Sequence, residues 1–267
     1  RSALAVATPS GDEPVEIWVA AGTCTPSDSD RNAFFPLKNG VAVYGGFAGT
    51  ETSRSERNPD PATNGTILSG DLSGNDGANW ANRGDNSFRV VIAPAGTTTT
   101  AALDGLTIEG GFGSSGGAGL LVSGSPTLTN LIISDNASTV DNGGGLYLQS
   151  GDPGLSNVTF EGNSSAYCGG GMYVTGGTPT LSGVTFSSNS TLNGPTMGYA
   201  GGGLCVEGIS APAGAALSHV TFSGNTSANY GGGMYVFYGD VALSDVTFSA
   251  NAARSGGGGG MYAVYSV

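Results

Sequence analysis

One short loop gathers three side chains whose oxygen atoms could bind a metal ion. Asp71, Asn75 and Asp76 lie within the seven residues DLSGNDG, and Asp85 follows nearby. Carboxylate and amide oxygens are the ligands that Ca²⁺ prefers. Their spacing does not match an EF-hand, and Asp and Asn also hydrogen-bond their own backbone in Asx turns. The sequence therefore makes these three residues a candidate calcium site, with a simple turn as the alternative.

The three cysteines could form a disulfide bond or bind a metal ion. Cys24 lies in an early coil, Cys168 in a turn before a glycine cluster, and Cys205 at an outward strand position. No two of them are predicted to face each other, so free or partly paired thiols are expected. The chain does not group them with its single histidine, His219, and no Cys/His metal site is predicted.

These residues are positioned by a repeat that dominates the chain. Each copy has a glycine cluster, an apolar residue and, after a turn, a Val-Thr-Phe-like triplet. The first apolar column has gaps of 26, 26, 32, 30 and 27 residues and comprises Leu120, Leu146, Met172, Leu204, Met234 and Met261. The second column comprises Ile133, Phe160, Phe186, Phe222 and Phe248. A fixed period of this size predicts stacked units, each too small to bury a core alone.

The units are predicted to consist of strands, because no stretch of the repeat has apolar residues at helical spacing. Alternation sends Leu146 and Leu148 to one face and Tyr147 to the other. A unit of about 26 residues has room for three short strands and three turns, which is one coil of a parallel β-helix. We expect an all-β solenoid of about nine or ten coils.

Two longer copies test this interpretation, since extra residues in a solenoid must leave at a turn. The excursions at 193–200 and 207–215 are rich in Gly, Pro and Ala, and both columns resume in phase after them. They are predicted to be surface loops.

An asparagine follows each second-column residue by three positions. In a buried turn its amide can pair with free backbone groups and with the amide of the next coil. We therefore expect a structural ladder rather than a catalytic or ligand-binding row, formed by Asn136, Asn163, Asn189, Asn225 and Asn251.

Residues 1–90 are less regular than residues 91–267, although both are expected to form one continuous domain. The strand candidates of the first part are Ile17–Ala20, Val41–Tyr44, Thr66–Leu68 and Phe88–Ile92. Residues 49–60 form a polar excursion with balanced charge. This segment is predicted to be a loop on the flank of the stack, with its arginines paired locally.

The motifs also resemble a known family. The Gly-Gly-Gly-Leu/Met clusters at 143–146, 169–172, 201–204 and 231–234, with Phe-x-x-Asn at 160–163, 186–189, 222–225 and 248–251, resemble the repeats of polymorphic-outer-membrane-protein-type passenger domains. The segments at 17–23, 43–47 and 67–71 are similar to the opening of large secreted bacterial β-helix surface proteins. These resemblances imply a right-handed parallel β-helix, an extracellular or cell-surface location, and a capping helix of which residues 1–7 are a remnant.

Many parallel β-helices act on polysaccharides, so a polysaccharide-degrading enzyme is an alternative function. A pectate-lyase-like site needs acidic metal ligands beside a basic residue, and Arg254 is the only basic side chain after Val90. A hydrolase-like site needs carboxylates on adjacent coils. His219 is predicted to be a surface residue. The acids of the repeat fall at different columns, so no catalytic residue is predicted: Asp135, Asp141, Asp152, Glu161, Glu207, Asp240 and Asp245.

The outward positions next to the first column are where a binding surface would lie. They repeat a tyrosine, interrupted by Cys205, and tyrosine offers an apolar face with a polar tip for sugars or proteins. The alternative is that loops cover the row, or that the rings only stabilise the strands. The candidate binding residues are Tyr147, Tyr173, Tyr235 and Tyr262.

The composition of the chain disfavours some classes of binding partner. The chain has only eight lysines and arginines, of which only Arg254 follows Val90, and a formal net charge of −12. It therefore has little with which to neutralise the phosphates of a nucleic acid. No apolar run approaches the roughly 20 residues of a membrane span. We expect a structural or adhesive protein for surface display or extracellular assembly, with itself or other surface proteins as partners. The alternative is a protein that binds or degrades glycans.

Overall fold

The computed structural model describes residues 3–9, 14–192, 200–209 and 214–266. The chain forms an all-β parallel solenoid of about nine turns, as the repeat predicts. One turn is called a rung below. Residues 193–199 of the first longer excursion and 210–213 of the second lie outside the described residues. The second excursion is shorter than predicted, because Glu207 and Ala215 belong to the strands Leu204–Glu207 and Ala215–Ser223. The strands resume in register beyond both excursions.

The described strands form three stacked sheets. Sheet 1 has the long strands Val15–Ala20, Gly22–Cys24, Val41–Phe47, Thr66–Ser69, Ala102–Glu109, Thr127–Ser134, Gly154–Glu161, Thr180–Ser182, Thr185–Ser187, Ala215–Ser223 and Val241–Ser249. Sheet 2 has Phe112–Gly113, Ala137–Ser138, Ser164–Ser165, Ser190–Thr191, Thr226–Ser227 and Ala252–Ala253. Sheet 3 has Phe35–Pro36, Val91–Ala93, Leu120–Val122, Leu146–Leu148, Met172–Val174, Leu204–Glu207, Met234–Phe237 and Met261–Val264.

Within the described residues, helical structure is confined to single turns in the first part of the chain. Ala3–Val6 and Pro61–Asn64 are α-helical, and Arg54–Glu56, Ala78–Trp80 and Arg83–Asp85 are 3₁₀ turns. Leu4 of the first helix is buried against the core. Asp60 accepts a hydrogen bond from the backbone N–H of Ala62 and caps the second helix.

Both apolar columns point into the solenoid and pair rung to rung. Leu146 lies between Leu120 and Met172 in sheet 3, and Phe160 lies between Ile133 and Phe186 in sheet 1. The phenylalanine rings of neighbouring rungs stack with centroids 4.8 Å apart. Each fully buried side chain of this size contributes about 2 kcal/mol through the hydrophobic effect. The core therefore runs along the axis of the stack.

The glycine clusters exist because neighbouring rungs approach too closely there for any side chain. A Cβ added at Gly145 would lie 2.5 Å from the carbonyl oxygen of Gly171, and one at Gly171 would lie 2.7 Å from that of Gly203. Real Cβ atoms do not approach carbonyl oxygens this closely. Gly143 has a different reason, since its φ of +65° lies in the left-handed region.

The five asparagines form a continuous hydrogen-bond ladder through the buried turn. Asn163 Nδ2 donates to Asn189 Oδ1 at 3.0 Å and to the Ile133 carbonyl at 2.7 Å. Its own Oδ1 accepts from the backbone N–H and the amide of Asn136, both at 3.1 Å. The same contacts recur along the stack, and the residue before each ladder asparagine has a positive φ: Asp135, Gly162, Ser188, Gly224 and Ala250.

Two expectations for the first part of the chain are wrong. The strand predicted at Phe88–Ile92 begins only at Val91, because the backbone N–H of Phe88 donates to the carbonyl of Arg31, which lies outside the sheets. The arginines of the 49–60 loop do not pair locally. Arg54 pairs with Glu16 and Arg57 with Asp104, each at 2.6 Å, so the loop is tied to sheet 1.

We predict that Gly145→Ala destabilises the protein by about 3 kcal/mol, because the new methyl group meets a carbonyl oxygen that neither rung can withdraw. Gly154→Ala is the matched control: its Cβ would have 3.7 Å to the nearest atom, Thr180 Oγ1, and its φ is not positive. Its stability should change by less than about 1 kcal/mol. Urea unfolding of both variants measures the difference. Equal destabilisation would contradict the close-approach explanation.

Candidate functional site

Residues 71–87, called the acidic loop below, bring polar groups together beside sheet 1. The backbone N–H of Asp76 donates to Asp71 Oδ2 at 2.9 Å. Asn86 Nδ2 donates to Asp76 Oδ2, also at 2.9 Å, and Arg83 Nε lies 3.4 Å from that same oxygen. Asn86 is fully buried, and Arg83 is about nine-tenths buried. The loop is therefore folded around a charged, partly dehydrated centre.

Asn75 is not part of this centre. It is exposed and its side chain turns towards Asp85, with Nδ2 3.4 Å from Asp85 Oδ2. Asp71 and Asp76 do come together, so the structure joins two of the three residues that the sequence groups. Within the described residues, no three His, Cys, Asp or Glu side chains gather closely enough to hold a metal ion by themselves. Amide and hydroxyl oxygens would have to complete a cation site here.

Two further carboxylates, Glu109 and Asp135, share the electrostatic environment of the acidic loop. Glu109 ends the strand Ala102–Glu109 opposite Ser69, two residues before Asp71. Asp135 directly follows the strand of the next rung. The repeat pattern predicts that Asp135 is isolated, because its columns contain only the acids of the regular rungs. The register between residues 66–69 and 102–109 creates the convergence, and no periodicity reveals that pairing.

Burial changes the acidity of this cluster. It raises the pKa of the Asp76 carboxyl above its usual range, although Asn86 and Arg83 both favour the charged form. Burial, together with the neighbouring charge of Asp135, also raises the pKa of Glu109. Asp85 is half-buried, and a hydrogen bond from Ser73 lowers its pKa. Carboxyls with a raised pKa beside a fixed cation can donate protons, which is the arrangement that acid catalysis uses.

The predicted outward row of sheet 3 is present, in the register Tyr147, Tyr173, Cys205, Tyr235, Tyr262. With Cys168, Tyr230 and Phe237 these residues form a second apolar cluster, called the tyrosine face below. Tyr173 and Tyr235 are only 6% and 4% exposed, so their rings present no free surface to a ligand. Tyr147 and Tyr262 are half-buried and remain partly accessible.

The tyrosine face contains a disulfide bond between Cys168 and Cys205, with 5.7 Å between the Cα atoms. The expectation that no two cysteines face each other is therefore wrong. Cys168 lies in a turn that folds over the outward side of its rung, which brings it to the outward Cys205 of the next rung. Cys24 is a free thiol.

A hydrogen bond at the edge of the tyrosine face links consecutive rungs. The Tyr173 hydroxyl donates to Glu207 Oε2 at 2.6 Å. Burial and this acceptor raise the pKa of Tyr173 well above its usual value. The phenol is therefore a structural donor rather than a reactive group.

His219 lies on the surface, as predicted. Its side chain is 72% exposed, and its Nε2 is 3.5 Å from the similarly exposed Asp245. Both residues have a positive φ on the outer side of sheet 1. A lone exposed histidine without a buried orienting partner has no geometry for general base catalysis.

Comparison with known proteins agrees with this architecture. Residues 90–267 match the family model described as the right-handed β-helix region. The chain belongs to this family. No curated protein and no solved structure gives a significant match.

Membership of the β-helix family accounts for the regular rungs and for the hand of the solenoid. It does not extend to the finer resemblance to polymorphic-outer-membrane-protein-type passenger domains, which stays a prediction. Among the described residues, no helix is long and apolar enough to cross a membrane.

The disulfide bond should stabilise the β-helix by about 3–4 kcal/mol, because it closes a loop of 37 residues in the unfolded chain. We expect the double variant Cys168→Ala/Cys205→Ala to lose that amount in denaturant unfolding without reductant. Cys24→Ala is the control and should leave the midpoint nearly unchanged. Alkylation of the unfolded, unreduced wild type should label one thiol per chain. Three labelled thiols would contradict the pairing.

Tyr173→Phe should destabilise the protein by about 1–2 kcal/mol, because it removes a hydrogen bond to a charged acceptor. The wild type should also lose stability above about pH 10, where the tyrosine of the unfolded chain ionises but the folded one keeps its proton. The variant should lose less over that range. Tyr147→Phe is the control, since its hydroxyl has only a 3.4 Å contact with Thr175. Equal pH profiles of Tyr173→Phe and wild type would contradict this role.

Proposed function

We propose that this β-helix protein is an extracellular structural or adhesive element, displayed on a surface or assembled into an extracellular structure. The observation that carries the proposal is the Cys168–Cys205 disulfide bond, which joins neighbouring rungs inside the tyrosine face. Disulfide bonds form and persist mainly in oxidising compartments such as the cell exterior. The presence of this bond in the regular part of the stack supports an extracellular location for a stable protein.

The construction of the repeat supports a structural role over a catalytic one. The axis of the stack is filled by apolar columns, and its buried turn is filled by the asparagine ladder. Threonines repeat on the outward side of sheet 1: Thr159, Thr185, Thr221 and Thr247. These features maintain one shape along the stack, which suits a spacer or a surface for lateral contacts.

The acidic loop favours a second candidate function, binding or cleavage of glycans. Its half-buried Asp76 and the neighbouring Glu109 have raised pKa values beside the Arg83 guanidinium. Such carboxyls can protonate a leaving oxygen, and sugar hydroxyls suit a surface rich in hydrogen-bonding groups. The exposed part of the tyrosine face could add stacking contacts at Tyr147 and Tyr262.

The first test is the assembly state of the native protein, measured by sedimentation and negative-stain imaging over a range of concentrations. The structural proposal expects ordered oligomers, filaments or arrays, or saturable attachment of monomers to intact cells of the source. Protease treatment of intact cells should also remove the protein. Strict monomers that bind no cell surface would contradict the proposal.

The glycan alternative makes a different prediction, measured as new reducing ends or unsaturated products from neutral and acidic polysaccharides. If it holds, Glu109→Gln should lower cleavage at least about 100-fold, because a proton donor is lost. Glu161→Gln is the matched control, two rungs away in the same column of sheet 1 and exposed. Cleavage that depends on Glu109 would replace the structural proposal. Cleavage unaffected by Glu109→Gln would exclude this cluster as its source.

A further inference from the structure

Four oxygen atoms of the acidic loop are buried and accept no hydrogen bond from a protein donor. They are Asp71 Oδ1, Asp76 Oδ1, Asn86 Oδ1 and Ser87 Oγ. Asn86 and Ser87 are completely buried. Leaving one buried acceptor unsatisfied costs about 1–3 kcal/mol, and native proteins rarely tolerate several in one place. These oxygens therefore call for an electropositive partner.

The four groups are linked by a closed chain of short contacts. Ser87 donates its backbone N–H to the Gly70 carbonyl at 2.8 Å, which places it beside the backbone that leads into Asp71. Asp71 holds the backbone of Asp76, and Asp76 accepts from the amide of Asn86. Asn86 and Ser87 are consecutive in the chain, so the circuit returns to its start. The unsatisfied oxygens belong to one small neighbourhood.

The charge of this neighbourhood is negative. Five carboxylates lie in or beside the loop: Asp71, Asp76, Asp85, Glu109 and Asp135. They face the guanidinium groups of Arg31 and Arg83. Arg83 donates through Nη1 to the Asp135 carbonyl and lies over the Trp80 ring. Its Nε makes no hydrogen bond and lies 3.4 Å from Asp76 Oδ2 rather than beside Oδ1. The two arginines therefore do not neutralise all of the negative charge, and the four oxygen atoms stay without a donor.

We propose that the acidic loop binds one Ca²⁺ ion through Asp71, Asp76, Asn86 and Ser87. All four donors are oxygens, which Ca²⁺ prefers and which disfavour Zn²⁺. Ca²⁺ accepts six to eight oxygen ligands in irregular arrangements, so water can complete the shell, whereas Mg²⁺ demands a near-ideal octahedron. The ion would fasten residues 71–87 to the side of the solenoid. Asn75, included by sequence spacing, is replaced as a ligand by Asn86 and Ser87.

Binding can be measured with Tb³⁺, a luminescent substitute for Ca²⁺, because Trp80 lies against Arg83 and can sensitise an ion in the loop. Chelator-treated full-length protein should show luminescence on Tb³⁺ addition, reversed by Ca²⁺. Trp80→Phe should remove most of the signal. Isothermal titration with CaCl₂ should give one site per chain, and Ca²⁺ should raise the unfolding temperature.

Ser87→Ala is the variant least disturbing to the fold, and Asp71→Asn removes one charged ligand. Each should weaken Ca²⁺ binding at least about tenfold. Asp245→Asn is the control for a lost surface charge, since Asp245 is exposed and remote on the last rungs. It should bind as the wild type does. A cooperative thermal unfolding transition in the absence of Ca²⁺ verifies that each variant is folded.

Three results would overturn the proposal. Wild-type protein that binds no Ca²⁺ at millimolar concentration would show that water alone satisfies these oxygens. Unchanged binding by both Ser87→Ala and Asp71→Asn would place the ion elsewhere. An equal affinity for Mg²⁺ would overturn the assignment to calcium.

Discussion

Adjacent rungs stack their phenylalanine rings 4.8 Å apart, and this spacing limits what every other position can hold. Where side chains stack on themselves, as at the phenylalanines and ladder asparagines, identical residues recur because each fits its own copy. Where backbones cross at the same spacing, no side chain fits, and only glycine is found. The sequence repeat therefore follows from the constant spacing between neighbouring rungs. Cluster glycines such as Gly145 and Gly171 are its most visible result.

This constraint explains which features could be predicted from the sequence. The apolar columns, the outward tyrosines and the resumption of phase after the long excursions follow from alternation and period, and the structure has all of them. Each prediction needs only that like residues stack on like. The inward or outward direction of the repeat positions could therefore be predicted residue by residue.

The candidate sites were harder to predict from the sequence, because they depend on contacts that do not follow the repeat. The turn that carries Cys168 over the tyrosine face has no signature in residue spacing. Likewise, Glu109 reaches the acidic loop through a strand pairing that skips more than thirty residues, between irregular rungs. Asp71 and Asp76 could be grouped because they are neighbours in the chain. Asn86 and Ser87 could not, because their burial is a tertiary property.

The Cys168–Cys205 bond also has a mechanical consequence. A pull on the two ends of a solenoid peels rungs away from the ends, because each rung is held only by its neighbours. The bond keeps the segment from Cys168 to Cys205, a sequence separation of 37, out of the extending chain. At full extension those residues would span about 120 Å, which the tether cannot release while the bond is intact. Under tension, the maximum extension of this chain therefore depends on whether Cys168 and Cys205 are oxidised or reduced.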